Sequence, residues 1–113
     1  MVAVETEVNQ YDIFWVKLDP IEGSEMAKTR PCVVISPDEM NDYLKTVTIA
    51  PLTTNLHPVH WRVRVFCDGQ YGMVALDHIH SVSKSRLGDY IGTLQISEIK
   101  EIKHVIKVML VDS

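Results

Sequence analysis

The apolar run PCVVIS, residues 31–36, constrains the fold more than any other part of this sequence. Its β-branched residues follow one another without alternation, which is typical of a strand that is buried on both faces. Pro31 stands at the start of the run, where a strand tolerates a proline. Because the residue before a proline favours an extended conformation, we expect Arg30 to stay at the rim of the core that this strand enters.

Other β-forming segments with turn residues between them lie on both sides of this run. We predict strands in YDIFWVKL (11–18), TVTIAPLTT (46–54), HWRVRVF (60–66), MVALDHIHSV (73–82) and GDYIGTL (88–94). The strand in 46–54 is expected to end at Pro51, and the strand in 73–82 is expected to break near Asp77. In the strand 60–66, Arg62 and Arg64 lie on one face because successive side chains alternate between the two faces. CDGQYG (67–72) has the composition of a turn.

Two segments favour helices. In SPDEMN (36–41), Ser36 is a candidate cap and Pro37 a candidate first residue, so we expect one short helical turn after the second strand. The C-terminal segment SEIKEIKHVIKVMLV (97–111) has apolar residues at helical spacing and lysines on the opposite face, with Ser97 as the expected N-cap. Five or six strands and this helix predict an α+β fold, a small, strongly curved antiparallel sheet or partly open barrel with the helix over one face.

Length and composition indicate a single globular domain over residues 1–113, in which residues 1–9 form a short N-terminal arm. Apolar runs fall short of the roughly 18 residues that span a membrane, and the N-terminus lacks the basic start of a signal peptide. Cys32 and Cys67 lie in apolar, strand-like contexts, where reduced thiols are expected, and this favours a cytoplasmic protein. The net charge of −4 argues against a protein that coats duplex DNA, although a locally basic groove stays open.

Arg30 is the first candidate functional residue. A guanidinium has five fixed donors, so an arginine at the rim of a strand is a good phosphate ligand. The alternative is a surface arginine paired with Asp19 or Asp77. Thr53 and Thr54 offer two hydroxyls at a strand end, which either bind a phosphate oxygen or satisfy the backbone of a turn.

Asp77, His78, His80 and Ser81 are the second group of candidates. In an extended strand His78 and His80 would share one face, and histidine is the natural general acid or base near neutral pH. Two histidines could also bind a metal, but no nearby cysteine or carboxylate pattern completes such a site, so no metal is expected. The remaining alternative is a polar sheet face without a catalytic role.

Four segments occur in a characteristic order: residues 11–41, APLTTN (50–55), GMVALDHIHSVSKSRL (72–87) and IGTLQISEIKEIKHVIKVML (91–110). The first contains Gly23–Ser24–Glu25, Arg30–Pro31, Ser36–Pro37 and Asn41. Together they resemble the MazF/PemK toxins, which are small ribosome-independent mRNA endoribonucleases of toxin–antitoxin pairs. The resemblance covers nearly the whole chain from Tyr11 onward.

The resemblance implies a dimeric, SH3-like barrel that cleaves single-stranded RNA at short sequences without a metal or other cofactor. In that chemistry the 2′-OH of the RNA attacks the adjacent phosphate and leaves a 2′,3′-cyclic phosphate and a 5′-OH. A cognate antitoxin would occupy the RNA groove with an extended acidic tail. The loop 21–29 is expected to be poorly ordered without RNA or a partner.

The resemblance also implies roles for single residues. Arg30 would clamp the phosphate, with Thr53 to orient it, and the element at Asp77, His78 and His80 would supply acid–base chemistry. The implied RNA contacts are Ser24, Glu25, Lys28, Thr54 and Ser81.

Several positions depart from the family pattern. Met26 replaces a glutamine in the loop, His78 and His80 replace a glutamine and an arginine, and Ala75 stands where some relatives have an arginine. One hypothesis is that His78 or His80 supplies the proton transfer that other members obtain from arginine. Two other functions stay open: a CcdB-type gyrase poison, although no aromatic residue follows Tyr90, and a degenerate member that only dimerises or binds an antitoxin.

Overall fold

Antiparallel strands and two helices form the architecture of residues 7–18 and 28–112, the part of the chain that the computed structural model describes. In chain order the elements are β1 (Asp12–Lys17), β2 (Thr29–Val34), α1 (Asp38–Tyr43), β3 (Thr46–Thr53), β4 (Arg62–Cys67), β5 (Gln70–Ala75), β6 (His80–Ser83), β7 (Leu87–Thr93) and α2 (Ile96–Leu110). Single 3₁₀ turns lie at Leu76–His78 and Lys84–Arg86. The predicted α+β class is confirmed, with seven strands in these ranges instead of five or six.

Strand β3 organises the sheet because it has two partners along the same edge. The sheet order is β4-β5-β3-β2-β1-β7, and β6 also pairs with β3. On that edge β6 pairs with Thr46–Ile49 and β5 pairs with Leu52 and Thr53. Pro51 lies between the two pairings, where no ladder donor is needed on that side. The strand therefore continues past Pro51, and the expectation that it ends there is wrong.

The sheet has an apolar cluster on each of its two faces. Val33 of β2 belongs to the cluster under α2, whereas Cys32 and Val34 belong to the cluster on the opposite face, the barrel cluster, so this strand is buried on both faces as predicted. The barrel cluster comprises Val8, Phe14, Val16, Cys32, Val34, Val47, Ile49 and Val82. The helix-side cluster comprises Ile13, Val33, Ala50, Leu52, Val63, Val65, Val74, Leu76, Leu94, Ile102 and Val105.

Both helices begin at residues other than those expected. The cap position of α1 is Pro37, while the Ser36 hydroxyl donates to Asn41 Oδ1 (2.5 Å) and accepts from the Thr48 amide (3.0 Å). Ser36 is thus a buried bridge to β3, which its sequence neighbours do not reveal. Helix α2 is capped by Gln95, not Ser97, because the Gln95 amide and Glu98 form a capping box.

Helix α2 has the predicted amphipathic character. Ile102 and Val105 are buried in the helix-side cluster, and Lys100, Lys103 and Lys107 are exposed. No helix within residues 7–18 and 28–112 is long and apolar enough to cross a membrane.

Two turns require left-handed backbone. Tyr11 has a φ of 72°, in the left-handed region that favours glycine. Its amide donates to the Val34 carbonyl (2.7 Å), which ties the start of β1 to the end of β2. At the β4–β5 hairpin, Asp68 and Gly69 have φ of 52° and 80°, as a two-residue type I′ turn requires. The CDGQYG segment therefore forms a tight and rigid hairpin.

Candidate functional site

A cavity of about 250 Å³ lies where β1, β2 and β3 meet the β4–β5 hairpin. Its apolar lining includes Trp15, Pro31, Leu52 and Ile91. Its polar lining includes Arg30, Thr54, Asp68 and Gln70. This combination of apolar surface with a few polar side chains is typical of a ligand site.

Arg30 reaches this cavity because β2 holds it at the strand's open end. It is half-buried and pairs with Val16 of β1. On the other side Cys32 pairs with Pro51, and this register, continued by two residues, places Arg30 opposite Thr53. Both residues then point to the same face of the sheet, because paired residues in adjacent strands share a face.

The guanidinium of Arg30 has no carboxylate within 4 Å among the residues that the structure describes. The alternative that it pairs with Asp77 is wrong, because Asp77 is bound by Arg62. Asp19, the other partner considered, lies outside the described residues. A half-buried cation without a counter-charge can accept an anionic group such as phosphate.

The two threonines differ in their surroundings. The Thr53 hydroxyl accepts a hydrogen bond from the Asn55 amide (3.2 Å), which is the turn-stabilising role considered above. Its proton stays available for donation, since the bond uses a lone pair. Thr54 is exposed and lines the cavity. The structure thus brings Arg30, Thr53 and Thr54 to one end of β2 and β3.

Asp77 lies elsewhere, in an ion pair at the edge of the sheet. Arg62 Nε and Nη2 each donate to one carboxylate oxygen at 3.1 Å. His78 Nε2 lies 3.4 Å from the same carboxylate. The hydrogen bonds from Arg62 hold the pKa of Asp77 below its usual value, and those to Asp77 raise the pKa of Arg62. Both carboxylate oxygens are therefore engaged, which is the arrangement of a structural acid.

The predicted geometry of the histidines is wrong. The strand breaks at the Leu76–His78 turn, near Asp77 as expected, so His78 and His80 do not alternate along one extended face. Both are exposed, and His80 Nδ1 lies 2.8 Å from the His78 carbonyl oxygen. Within the described residues, no three metal-ligating side chains cluster together.

His80 and Ser81 are distant from Arg30 within one chain. They pair with Ile49 and Thr48 of β3, and the Ser81 hydroxyl lies 3.4 Å from that of Thr48. Four residues of extended strand separate Ile49 from Thr53, a distance of about 13 Å. A single chain therefore does not assemble all the predicted catalytic residues in one place.

The predicted loop contacts fall mostly outside the described residues. This holds for Ser24 and Glu25 and for residues 21–27 of the loop 21–29, which is expected to be poorly ordered; at Thr29 that expectation is wrong, because Thr29 is the first residue of β2. Lys28 is exposed, and its carbonyl accepts from the Leu18 amide (2.8 Å) just before β2 begins at Thr29. Lys28 thus lies two residues before Arg30, on the chain that enters β2.

The β4–β5 hairpin contributes to the cavity, a role that its composition does not predict. Asp68, Gln70 and Tyr71 all line the cavity, whereas the composition of CDGQYG predicts only a turn. The Asp–Gly pair was the signal that could have placed them, since it predicts a two-residue hairpin with fixed register on both sides. The Asp–Gly pair does not show that β5 pairs with the end of β3, which brings the tip of the hairpin to Arg30.

The comparison with known proteins gives one consistent result. The family model of PemK-like, MazF-like toxins of type II toxin–antitoxin systems matches residues 9–110. A curated relative, Endoribonuclease MazF of Staphylococcus saprophyticus, is 28% identical over 105 residues, which is 88% of each chain.

Solved structures share the fold at lower identity. The MazE–MazF structure from Deinococcus radiodurans superposes with a TM-score of 0.81 at 21% identity, over 96% of this chain and 100% of that one. A mycobacterial endoribonuclease in complex with its cognate antitoxin gives 0.78 at 20% identity, over 91% and 94%. The family match spans nearly all of the described residues, and it includes Arg30 and the cavity. The chain therefore belongs to the PemK-like, MazF-like toxin family of type II toxin–antitoxin systems.

Proposed function

We propose that this chain is a sequence-selective, metal-independent endoribonuclease toxin that cleaves single-stranded RNA. The observation that carries the proposal is the half-buried guanidinium of Arg30 at the cavity, which has no carboxylate within 4 Å among the described residues and lies near the end of β3 that carries Thr53. Membership of the toxin family and the similarity to a protein named Endoribonuclease MazF support RNA as the substrate. A cation beside a hydroxyl suits the stabilisation of a crowded phosphorane.

The proposed reaction is an internal phosphoryl transfer. The 2′-oxygen of the RNA forms a bond to the adjacent phosphorus, and the bond from phosphorus to the 5′-oxygen of the next nucleotide breaks. A base removes the 2′-OH proton, and an acid protonates the departing 5′-oxygen. Arg30 would neutralise the charge that accumulates on the non-bridging oxygens, and the Thr53 hydroxyl would orient one of them.

The acid and base are not assigned to the ion-paired Asp77, because its lowered pKa leaves it a weak proton carrier near neutral pH. His78 and His80 stay hypotheses for proton transfer. If His80 acts, its distance along β3 implies that a second copy of the chain presents it. Undiminished cleavage by His80→Ala would remove it from the mechanism.

We also propose a homodimer, a cognate antitoxin as the protein partner, and a cytoplasmic location. Two similar solved proteins are a MazE–MazF structure and an endoribonuclease with its cognate antitoxin. An acidic antitoxin segment would bind the same guanidinium of Arg30 that is proposed to bind the RNA phosphate. Cys32 and Cys67 are both free thiols, which is compatible with a reducing compartment.

The test is cleavage of a long single-stranded RNA in excess EDTA, with wild type, Arg30→Ala and Lys103→Ala side by side. Lys103→Ala is the matched control, because it removes an exposed cation on α2. We expect wild type and the control to cut at the same sites and to leave 2′,3′-cyclic phosphate and 5′-OH ends. Arg30→Ala should be slower by about 10²-fold or more, as for loss of one charge-stabilising donor.

Two outcomes would contradict the proposal. Intact RNA with folded, dimeric wild type would favour a binding role, and gyrase or an antitoxin would be the next partner tested. Cleavage that EDTA abolishes would instead exclude the metal-independent mechanism. Folding of each variant is checked by thermal unfolding and sedimentation.

A further inference from the structure

An exposed aromatic and cationic cluster lies on the β4–β5 hairpin, next to the cavity that its Tyr71 also lines. Phe66 of β4 pairs with Tyr71 of β5, and their rings meet edge to face with centroids 5.0 Å apart. The guanidinium carbon of Arg64 lies 4.2 Å from the centroid of the Tyr71 ring. We name these three residues the hairpin platform.

The hairpin platform does not contribute to either apolar cluster. Phe66 is 49% exposed and Tyr71 is 51% exposed, while Val63, Val65 and Val74 of the same strands fill the helix-side cluster. Arg64 has no carboxylate within 4 Å among the described residues. Two neighbouring rings that are half-exposed form an apolar patch on the surface, and such patches mark interaction sites.

The platform is continuous with the face that carries Arg30 and Thr53. Thr53 pairs with Met73 of β5, and Met73 pairs with Arg64 of β4, so these side chains share one face. Tyr71 is two residues from Met73 and therefore also points to that face. One strand spacing and two residues of rise separate Tyr71 from Thr53, a distance of about 8 Å.

The platform is also held rigidly. The left-handed Asp68 and Gly69 close the hairpin with a two-residue turn, which fixes the register of Phe66 and Tyr71. At the other side the Phe66 amide donates to Glu98 Oε2 (2.8 Å) at the start of α2. A ligand that stacks here therefore loses little free energy to ordering of the protein.

We propose that the hairpin platform binds an unpaired base of the RNA next to the scissile phosphate, by stacking on the Arg64–Tyr71 pair and against Phe66. The inference rests on the proposed endoribonuclease function. Bases stack on aromatic rings and on guanidinium planes, and a free arginine also offsets backbone charge. The continuity with Arg30 and Thr53 favours RNA over a protein as the occupant.

The test uses an RNA that carries the mapped cleavage site, with a 2′-deoxy nucleotide at the attacking position so that it binds without being cut. 2-Aminopurine replaces each flanking base in turn, since its fluorescence falls when it stacks. We expect wild type to quench one flanking position. Tyr71→Leu and Phe66→Leu should lose this quench and bind about 10-fold more weakly.

Three controls make the result specific. Tyr71→Phe should keep the quench, because it keeps the ring. Tyr43→Leu, which removes an exposed aromatic residue on α1, should change neither quench nor affinity. Arg30→Ala should lose cleavage of the natural RNA and keep the quench.

The outcomes separate this inference from the proposed function. If wild type cleaves RNA but Tyr71→Leu and Phe66→Leu bind and quench as wild type does, the proposed base binding at the hairpin platform is wrong. The proposed endoribonuclease function is unaffected by that result. If wild type does not cleave RNA at any site, the proposed function is wrong, and the base binding inferred for the hairpin platform is wrong as well. Conversion of either leucine variant to monomers in sedimentation would show that a second copy covers this face, which also overturns the inference.

Discussion

The arginines of this sheet have different partners, and the partners decide what each can do. Arg62 donates twice to Asp77, whereas Arg30 and Arg64 have no carboxylate within 4 Å among the described residues. The charge of Arg62 is already neutralised by Asp77, and this pair stabilises the edge of the sheet. An unpaired guanidinium keeps its donors for a ligand.

Replacement of Asp77 tests the structural role of its ion pair. The folded-state pKa of Asp77 lies below its usual value, so its contribution to the free energy of unfolding is present above the unfolded-state pKa and is lost as pH falls through the folded-state pKa. We expect Asp77→Asn to lower the free energy of unfolding at pH 7 by less than about 1 kcal/mol, as for a partly exposed pair. The difference from wild type should shrink below about pH 4.

Urea unfolding at several pH values measures this difference. Asp89→Asn, which removes an exposed carboxylate on β7, is the control and should change stability little at any pH. A constant deficit of Asp77→Asn from neutral to acid pH would show that its charge does not matter. Loss of RNA cleavage by Asp77→Asn without loss of stability would return this residue to the catalytic candidates.

At the scale of elements, the β4–β5 hairpin depends on two residues with left-handed backbone. A Cβ on Gly69 would meet no atom within 4 Å, yet its φ of +80° disfavours any L side chain. The cost of a substitution there is thus conformational and not steric.

Gly69→Ala should lower the free energy of unfolding by about 1 to 2 kcal/mol, the cost of left-handed backbone for a residue with a Cβ. Gly92→Ala in β7 is a matched control, since a Cβ there also meets nothing within 4 Å and its φ is not left-handed. Gly92→Ala should be neutral or slightly stabilising. Urea denaturation of both variants measures the difference, and equal effects would contradict a type I′ turn.

The sequence predicted the type of each element better than its ends. Alternation and β-branched runs located the strands, because these patterns depend on which face is buried. The predicted strand end at Pro51 and the predicted helix cap at Ser36 are wrong because the roles of both residues depend on β3, whose partner strands are distant in sequence. Arg30 could be found through its neighbour Pro31, but Gln70 and Tyr71 could not, since only long-range pairing brings them to the cavity.

At the scale of the whole molecule, α2 closes the helix-side cluster against β4. Ile102 is fully buried there. We expect Ile102→Ala to cost about 2 to 5 kcal/mol of unfolding free energy, from lost apolar transfer and the cavity left behind. Val108→Ala, at a half-exposed position of the same helix, should cost less than about 1 kcal/mol.

Thermal and urea unfolding of the two variants give the comparison. Similar small losses would mean that α2 is loosely attached and that the sheet is stable without it. RNA cleavage by folded Ile102→Ala should stay near wild type at low temperature, because α2 contributes no residue to the cavity lining.

The double pairing of β3 has a consequence for how this protein tolerates change. Val47 and Ile49 of this strand belong to the barrel cluster, and Ala50 and Leu52 belong to the helix-side cluster. This one strand therefore contributes to both clusters, and we expect a substitution that disrupts β3 to destabilise both of them. Thr53 is the last residue of β3 and Arg30 lies near the start of β2, so the proposed RNA site depends on the same pair of strands. We therefore expect substitutions in the hairpin platform to alter which RNA is bound while Arg30 and Thr53 stay in place.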